Sequence, residues 1–248
     1  MKEENSTREL MKTHRSIRKF TDQDIPEEMI RELVECARWA PTSHNVQAYS
    51  VISVRNKDTK KKLEELCGNQ RYVSQCPVFF VFVLDFYRHW VISEAHQSDF
   101  EMDEVENLII GAVDTALFAE NFYLAANSFG LGGVMIGGIR NRAKEVASLL
   151  NLPKWTLPIM GMCLGYPDQD PWQKPRIGTA AIYHEESYQT DQLEEILKEY
   201  EERSSDYYTR RTSGQRTDGW GKQMVHYLSK KRRVDLTQFI KEQGFSLK

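Results

Sequence analysis

The sequence predicts a mixture of helices and a sheet packed around one core. Three stretches carry that reading: "VFFVFVL" at Val78 to Leu84, "TDQDIPEEMIRELVECARWAPTS" from Thr21, and "NLIIGAVDTALFAENFYLAANSFG" from Asn107. The first is an unbroken run of Val, Phe and Leu. That pattern suits a strand covered on both faces and falls far short of the roughly 20 residues that span a bilayer. In the second, Ile30, Leu33, Val34 and Ala37 recur at helical spacing, Asp24 and Glu27 form a candidate capping box, Pro26 suits the first turn and Pro41 ends the helix. The third is apolar around most of its helical circumference, as expected of a helix packed centrally or against another subunit, with Gly130 as its C-cap.

The remaining elements follow in order. "YSVISV" reads as a strand, Thr59 to Cys67 as a helix stopped at Gly68, and Trp90 to Glu106, with six acidic residues and no Lys or Arg, as a polar solvated segment. "GGVMIGG" and "PIMGMCLG" read as strands, a short helix begins near Asn141, and "GTAAIY" is a possible last core strand. Beyond His184 the character changes: Thr190 to Tyr200 looks helical, "RSSDYYTRRTSGQRTDGWGKQ" reads as a long loop, and Asp235 caps a final helix reaching Gly244. A chain of 248 residues suits one domain with an extension, divided here into a core over 1–184 and a C-terminal part over 185–248.

A formal net charge of -3 gives no global reason to bind nucleic acid, although Arg203 to Lys248 holds eleven Lys or Arg against four Asp or Glu. Tyr207, Tyr208 and Trp220 interleave with those cations, but no nucleic-acid-binding motif supports such a role. The four cysteines form no CxxC pair and the start lacks a secretory pattern, so a reducing, cytoplasmic setting is expected. None of the six histidines has metal-ligand spacing, and Ser43 beside His44 lacks the elbow of a hydrolase. "GLGGVMIGG" matches neither GxGxxG nor a P-loop. Gly137 and Gly138 at a strand end either let backbone approach a flat ligand or simply turn the chain.

Two basic clusters stand out. "HRSIRKF" (His14 to Phe20) reads as a solvated turn or as a phosphate clamp, in which Arg15 and Arg18 offer planar donor forks and Ser16 a hydroxyl. Lys174 and Arg176 in "QKPRIG" read equally as a charged turn or as a second set of donors.

These pieces, in order and spacing, give the chain its resemblance to the FMN-dependent nitroreductase and flavin reductase family, nearest its NADPH-preferring branch of major oxygen-insensitive nitroreductases. The likeness runs from about Thr13 to the C-terminus through "HRSIRKFTDQDIP", "APTSHNVQAYSVI", "GNQRYV", "GLGGVMIGGIRN", "KPRIGTAAIYHEESY" and "YYTRRTSGQRTDGW". It implies an α+β fold, a mixed sheet enclosed by helices, built as an intertwined homodimer with FMN in each of two interface pockets. By resemblance His14, Arg15, Ser16 and Arg18 match the first flavin-binding segment, and Thr42, Ser43, His44 and Asn45 match an interface segment normally richer in serine. Gln70 and Tyr72 match positions beside the flavin, Ile136, Gly137 and Gly138 match backbone passing its ring, and Lys174 and Arg176 match cations holding its phosphate. Arg210, Arg211 and Arg216 resemble the NADPH-recognition region.

The implied chemistry is ping-pong transfer of electrons from NADPH to nitroaromatics, quinones or free flavin. The cofactor supplies the hard electron chemistry. Arg18 is the candidate catalytic residue, tuning negative charge that develops at the flavin edge, while Arg15, Lys174 and Arg176 anchor phosphate. Two alternatives stand beside it: a dedicated NADPH:FMN oxidoreductase supplying reduced flavin, and a flavin-binding redox sensor without catalysis. Partners would be a second copy of the chain and flat small molecules, with neither nucleic acid nor membrane.

Overall fold

Strand formation where Val and Phe run together builds the sheet at the centre of a computed structural model that describes residues 6–102 and 104–246. Its strands are β1 (Tyr49–Val54), β2 (Val78–Asp85), β3 (Gly132–Ile136) and β4 (Thr156–Gly165), in the order β1-β2-β4-β3. Every strand pairing among the described residues is antiparallel. The α+β class therefore holds, while the parallel pairing of a mixed sheet is not found within the described residues of one chain.

All eight residues of β2 are buried, as its unbroken apolar run requires. Phe80 and Phe82 face α2 (Glu27–Ala37) and α6 (Val105–Ser128), where Phe122 lies 4.8 Å and 5.5 Å from the two rings. Phe79, Val81 and Val83 point the other way, onto α3 (Lys57–Leu66), the single turn α4 (Tyr72–Gln75) and α7 (Ala143–Leu149). Each such side chain contributes about 1.5–3 kcal/mol on burial. The remaining helices of this unit are α1 (Ser6–Lys12), α5 (Tyr87–Ala95) and α10 (Leu236–Glu242).

Contacts divide the chain into two compact units, Met1–Pro171 with Arg233–Lys248, and Trp172–Arg232. The second unit is helical, with α8 (Leu193–Arg211) and α9 (Trp220–Leu228). The long loop expected over 203–223 is thus mostly helix. The buried positions of α8 are Tyr200, Ser204 and Tyr208, spaced by four but interrupted by serine, which hides the apolar period. "GTAAIY" is not a strand: Thr179–Ala181 forms one exposed 3-10 turn, and the described residues of its unit contain no strand to pair with it.

The expected capping box does not form. Asp24 accepts from the Ile25 N–H at 2.9 Å and pairs with Arg55, and Pro26 is the N-cap. Gly130 does end α6 with φ +77°, a conformation glycine adopts freely. Helix α6 is long and apolar enough to cross a membrane by length and composition alone; here Gly111, Phe118, Ala119 and Phe122 of one face are buried in the unit's core. On its other side Val105, Ile109, Val113 and Leu117 recur every four residues and are exposed.

Candidate active site

The segment carrying "HRSIRKF" lies along β3. The Ile17 N–H donates to the Gly133 carbonyl at 2.9 Å, the Tyr123 hydroxyl donates to the Arg15 carbonyl at 3.1 Å, and the Thr21 N–H donates to the Tyr166 carbonyl at 2.9 Å. Glycine makes this approach possible, since a Cβ on Gly132 would sit 2.6 Å from Ile17 and 2.8 Å from Pro167. Burial differs along the segment: Ile17 is buried, Ser16 and Arg18 are half-buried, and Arg15 is exposed. His14 packs edge-on against Tyr123 at 5.4 Å, and Arg15 pairs with Asp170.

Arg18 lies over the Tyr72 ring, 5.8 Å from its centroid. The Tyr72 hydroxyl donates to Gln70, whose amide nitrogen donates to the Cys67 carbonyl at 2.6 Å. The same Cys67 carbonyl would stand 2.4 Å from a Cβ on Gly138, and Gln70 2.6 Å from it. Arg18, Gln70, Tyr72 and Gly138 are therefore one cluster, drawn from three separate sequence segments. Gly138 has to be glycine because backbone crowds it, whereas a Cβ on Gly137 would meet only guanidinium nitrogens of Arg140 and Arg233, at 3.5 Å and 3.8 Å. Gly137 therefore has room for a Cβ, in ordinary contact with those two guanidinium groups. Ile136, just before, is buried at the end of β3.

Thr42 to Asn45 sit on a turn gripped from below. Both carboxylate oxygens of Asp114, fully buried in α6, accept backbone N–H bonds, from Ser43 at 3.1 Å and from Ala48 at 3.2 Å. The His89 ring nitrogen Nε2 binds the Val46 carbonyl at 2.7 Å, and Arg88 donates to the Gln47 carbonyl at 2.8 Å. Between these anchors His44, Asn45 and Gln47 take φ values of 47°, 58° and 55°. That region is uncommon for side-chain-bearing residues, with Asn and His among the better tolerated. His44 and Asn45 point outward as exposed residues.

The second unit gathers most of the later cations around two tyrosines. Arg216 lies 4.2 Å and Lys174 5.3 Å from the Tyr208 ring centroid, while Arg211 lies 5.8 Å from that of Tyr207 and donates to its hydroxyl at 3.1 Å. Arg176 donates to the Lys174 carbonyl at 2.9 Å and receives an Arg203 bond on its own carbonyl at 2.8 Å, which fixes the strandless "QKPRIG" segment. Arg210 is exposed and stands apart from these ring contacts. Trp220 packs on Tyr200 at 5.6 Å, and its N–H donates to Ser204 at 2.6 Å.

Three positioning groups escaped the sequence reading. Asp114 had a local signal, a carboxylate alone within the apolar run "NLIIGAVDTALFA". Tyr208 was noticed only as an aromatic among cations. Arg233, whose guanidinium donates to the Gly137 carbonyl at 2.9 Å, lies in the charge run "KKRR" and had none. Burial pushes the Cys67 thiol up to about 12 and the Cys163 thiol upward as well, which makes both poor nucleophiles.

Chemically, the first unit brings together a guanidinium, an amide and two glycines, and the second presents cations held on aromatic faces. Comparison with known proteins matches the chain in two parts. The model of the nitroreductase family matches residues 11–166, and that of the nitroreductase family C-terminal domain matches 174–248. An "FMN reductase (NADPH)" of Bacillus subtilis is 40% identical over 247 residues, covering 98% of this chain and 99% of its own. A "CR(VI) reductase" of Pseudomonas sp. is 39% identical over 241 residues, covering 97% and 99%. The solved structure of NfrA1 from B. megaterium superposes with a TM-score of 0.95 at 43% identity, covering 98% of this chain and all of that one. On that identity and coverage, the chain belongs to the nitroreductase family.

Proposed function

We propose that this protein is an NADPH-dependent oxidoreductase that holds FMN and reduces flat small molecules, with donor and acceptor taking turns at one site. The observation that carries it is the cluster of Arg18, Gln70, Tyr72 and Gly138, next to Gly137 and its two neighbouring guanidinium groups. The donor set fits the cofactor: guanidinium and amide N–H groups suit carbonyl oxygens on a planar ring, and a bare glycine lets backbone lie close to it. FMN, when bound, supplies the two-electron relay between NADPH and acceptor.

The chain's own work is orientation and charge. Arg18 brings positive charge to the ring edge from a half-buried position, where it is less screened than on the open surface. Arg15, Lys174 and Arg176 hold the cofactor phosphate, with Arg15 leaving Asp170 to do so. The Asp114-anchored turn presents Thr42, Ser43, His44 and Asn45, and His14 and Ser16 complete the first segment. Arg210, Arg211 and Arg216 recognise NADPH. The extension over 185–248 is the part that adds this donor recognition to the core. The active form is a homodimer, supported by the exposed stripe Val105, Ile109, Val113 and Leu117 on α6, which a second copy would cover.

The names borne by relatives, "FMN reductase (NADPH)" and "NADPH-flavin oxidoreductase", favour free flavin as the acceptor. Steady-state turnover with free FMN, a quinone and a nitroaromatic separates the readings. Parallel double-reciprocal lines with all three acceptors are expected. Turnover of free FMN alone would mark a dedicated flavin reductase, and lines that intersect would reject alternate occupancy of one site.

A further inference from the structure

Lys174, Arg211 and Arg216 lie within one unit, and among the described residues none has a carboxylate within ion-pair distance. Cations gathered without counter-charge favour an external anion. What gathers two of them is a single ring. Tyr208 is only 6% exposed, is fixed edge-on to Tyr207 at 5.2 Å, and carries both Arg216 and Lys174. A guanidinium lying on an aromatic ring spends its π-face there and keeps its in-plane N–H fork for a bidentate anion.

We infer that Tyr208 is the positioning residue of donor selection: its ring holds Arg216 with its N–H fork turned to the ribose phosphate monoester that NADPH carries and NADH lacks. This rests on the reading of the arginine-rich segment as the NADPH site and goes beyond it by naming the residue that orders the cations. The ring acts through its negative face, not its hydroxyl. Phe should therefore replace Tyr, and an aliphatic residue should not.

The test uses the full-length FMN-loaded protein and two competitive inhibitors against NADPH, 2'-AMP and 5'-AMP. Tyr208→Leu is expected to raise the inhibition constant of 2'-AMP about tenfold, leave that of 5'-AMP within twofold, and leave kcat at saturating NADPH within twofold. Tyr208→Phe is expected to keep 2'-AMP binding within about twofold. Arg216→Ala serves as the control on the underlying reading. If Arg216→Ala weakens 2'-AMP and Tyr208→Leu does not, the role of Tyr208 is overturned and the NADPH reading stands. If Arg210→Ala, Arg211→Ala and Arg216→Ala all leave 2'-AMP unchanged, both fall together. Should Tyr208→Leu fail to fold, Tyr208→Phe decides, because a loss of more than fivefold would place the work in the hydroxyl and overturn the ring's role.

Discussion

The two cationic regions are built by different means. Around Arg18 the parts are set by backbone: a segment hydrogen-bonded to β3, a turn fixed through the Cys67 carbonyl, and glycines forced by crowding. Around Tyr208 the parts are set by side chains alone, cations resting on rings that project from one helix. Backbone ladders cannot shift without breaking several bonds at once, whereas a cation leaving a ring face gives up on the order of 0.5–2 kcal/mol. The first arrangement suits a cofactor that stays, and the second suits a donor that must leave.

Breaking the backbone-built region should have the largest effect. Gly138→Ala places a Cβ against the Cys67 carbonyl, which has no freedom to rotate away. We expect a loss of about 1–3 kcal/mol, read as a Tm lowered by several degrees, together with purification free of flavin colour. An unchanged Tm with full flavin content would show that the turn is softer than its contacts imply. Next comes Arg15→Ala, which under the proposed phosphate role removes one charge-assisted bond and should raise the Kd for FMN roughly tenfold to a hundredfold by fluorescence titration.

The ring-held region should respond less and more selectively. Arg211→Ala is expected to raise the KM for NADPH about three- to tenfold while leaving that for NADH and for acceptors within twofold. A proportional rise for NADH would assign Arg211 to general folding of α8. The smallest effect concerns Glu64, on α3 just before the turn that carries Gln70 and Tyr72. Its bond from Lys61, aided by the Ser74 hydroxyl, holds its carboxyl below the usual 4.5 despite desolvation. A depressed carboxyl stabilises the fold above its unfolded value and loses that contribution as pH falls through the lower folded value. Glu64→Gln should therefore lower Tm modestly at pH 7 and flatten its fall as the pH drops below about 5.

The same contrast explains what was legible in the residues. Strand β2 announced itself because eight buried positions leave no polar face. Helix α8 beyond Tyr200 did not, because its buried stripe is two tyrosines and a serine on an otherwise charged rod. "GTAAIY" misled by composition: small and β-branched residues favour a strand only where a partner edge exists. Tyr72 and Gln70 were found through family likeness, but their union with Arg18 and Gly138 depends on a turn carbonyl that no residue type reveals. Arg233 reaches Gly137 across nearly a hundred positions, a contact that only the folded chain creates.

Most direct is an anaerobic titration of the purified protein, first with FMN and then with NADPH, followed by flavin absorbance. Stoichiometric uptake of FMN, bleaching by NADPH faster than by NADH, and recovery of colour on adding a quinone is the predicted result. Failure to take up FMN, or a bound flavin whose colour NADPH leaves untouched, would contradict the account.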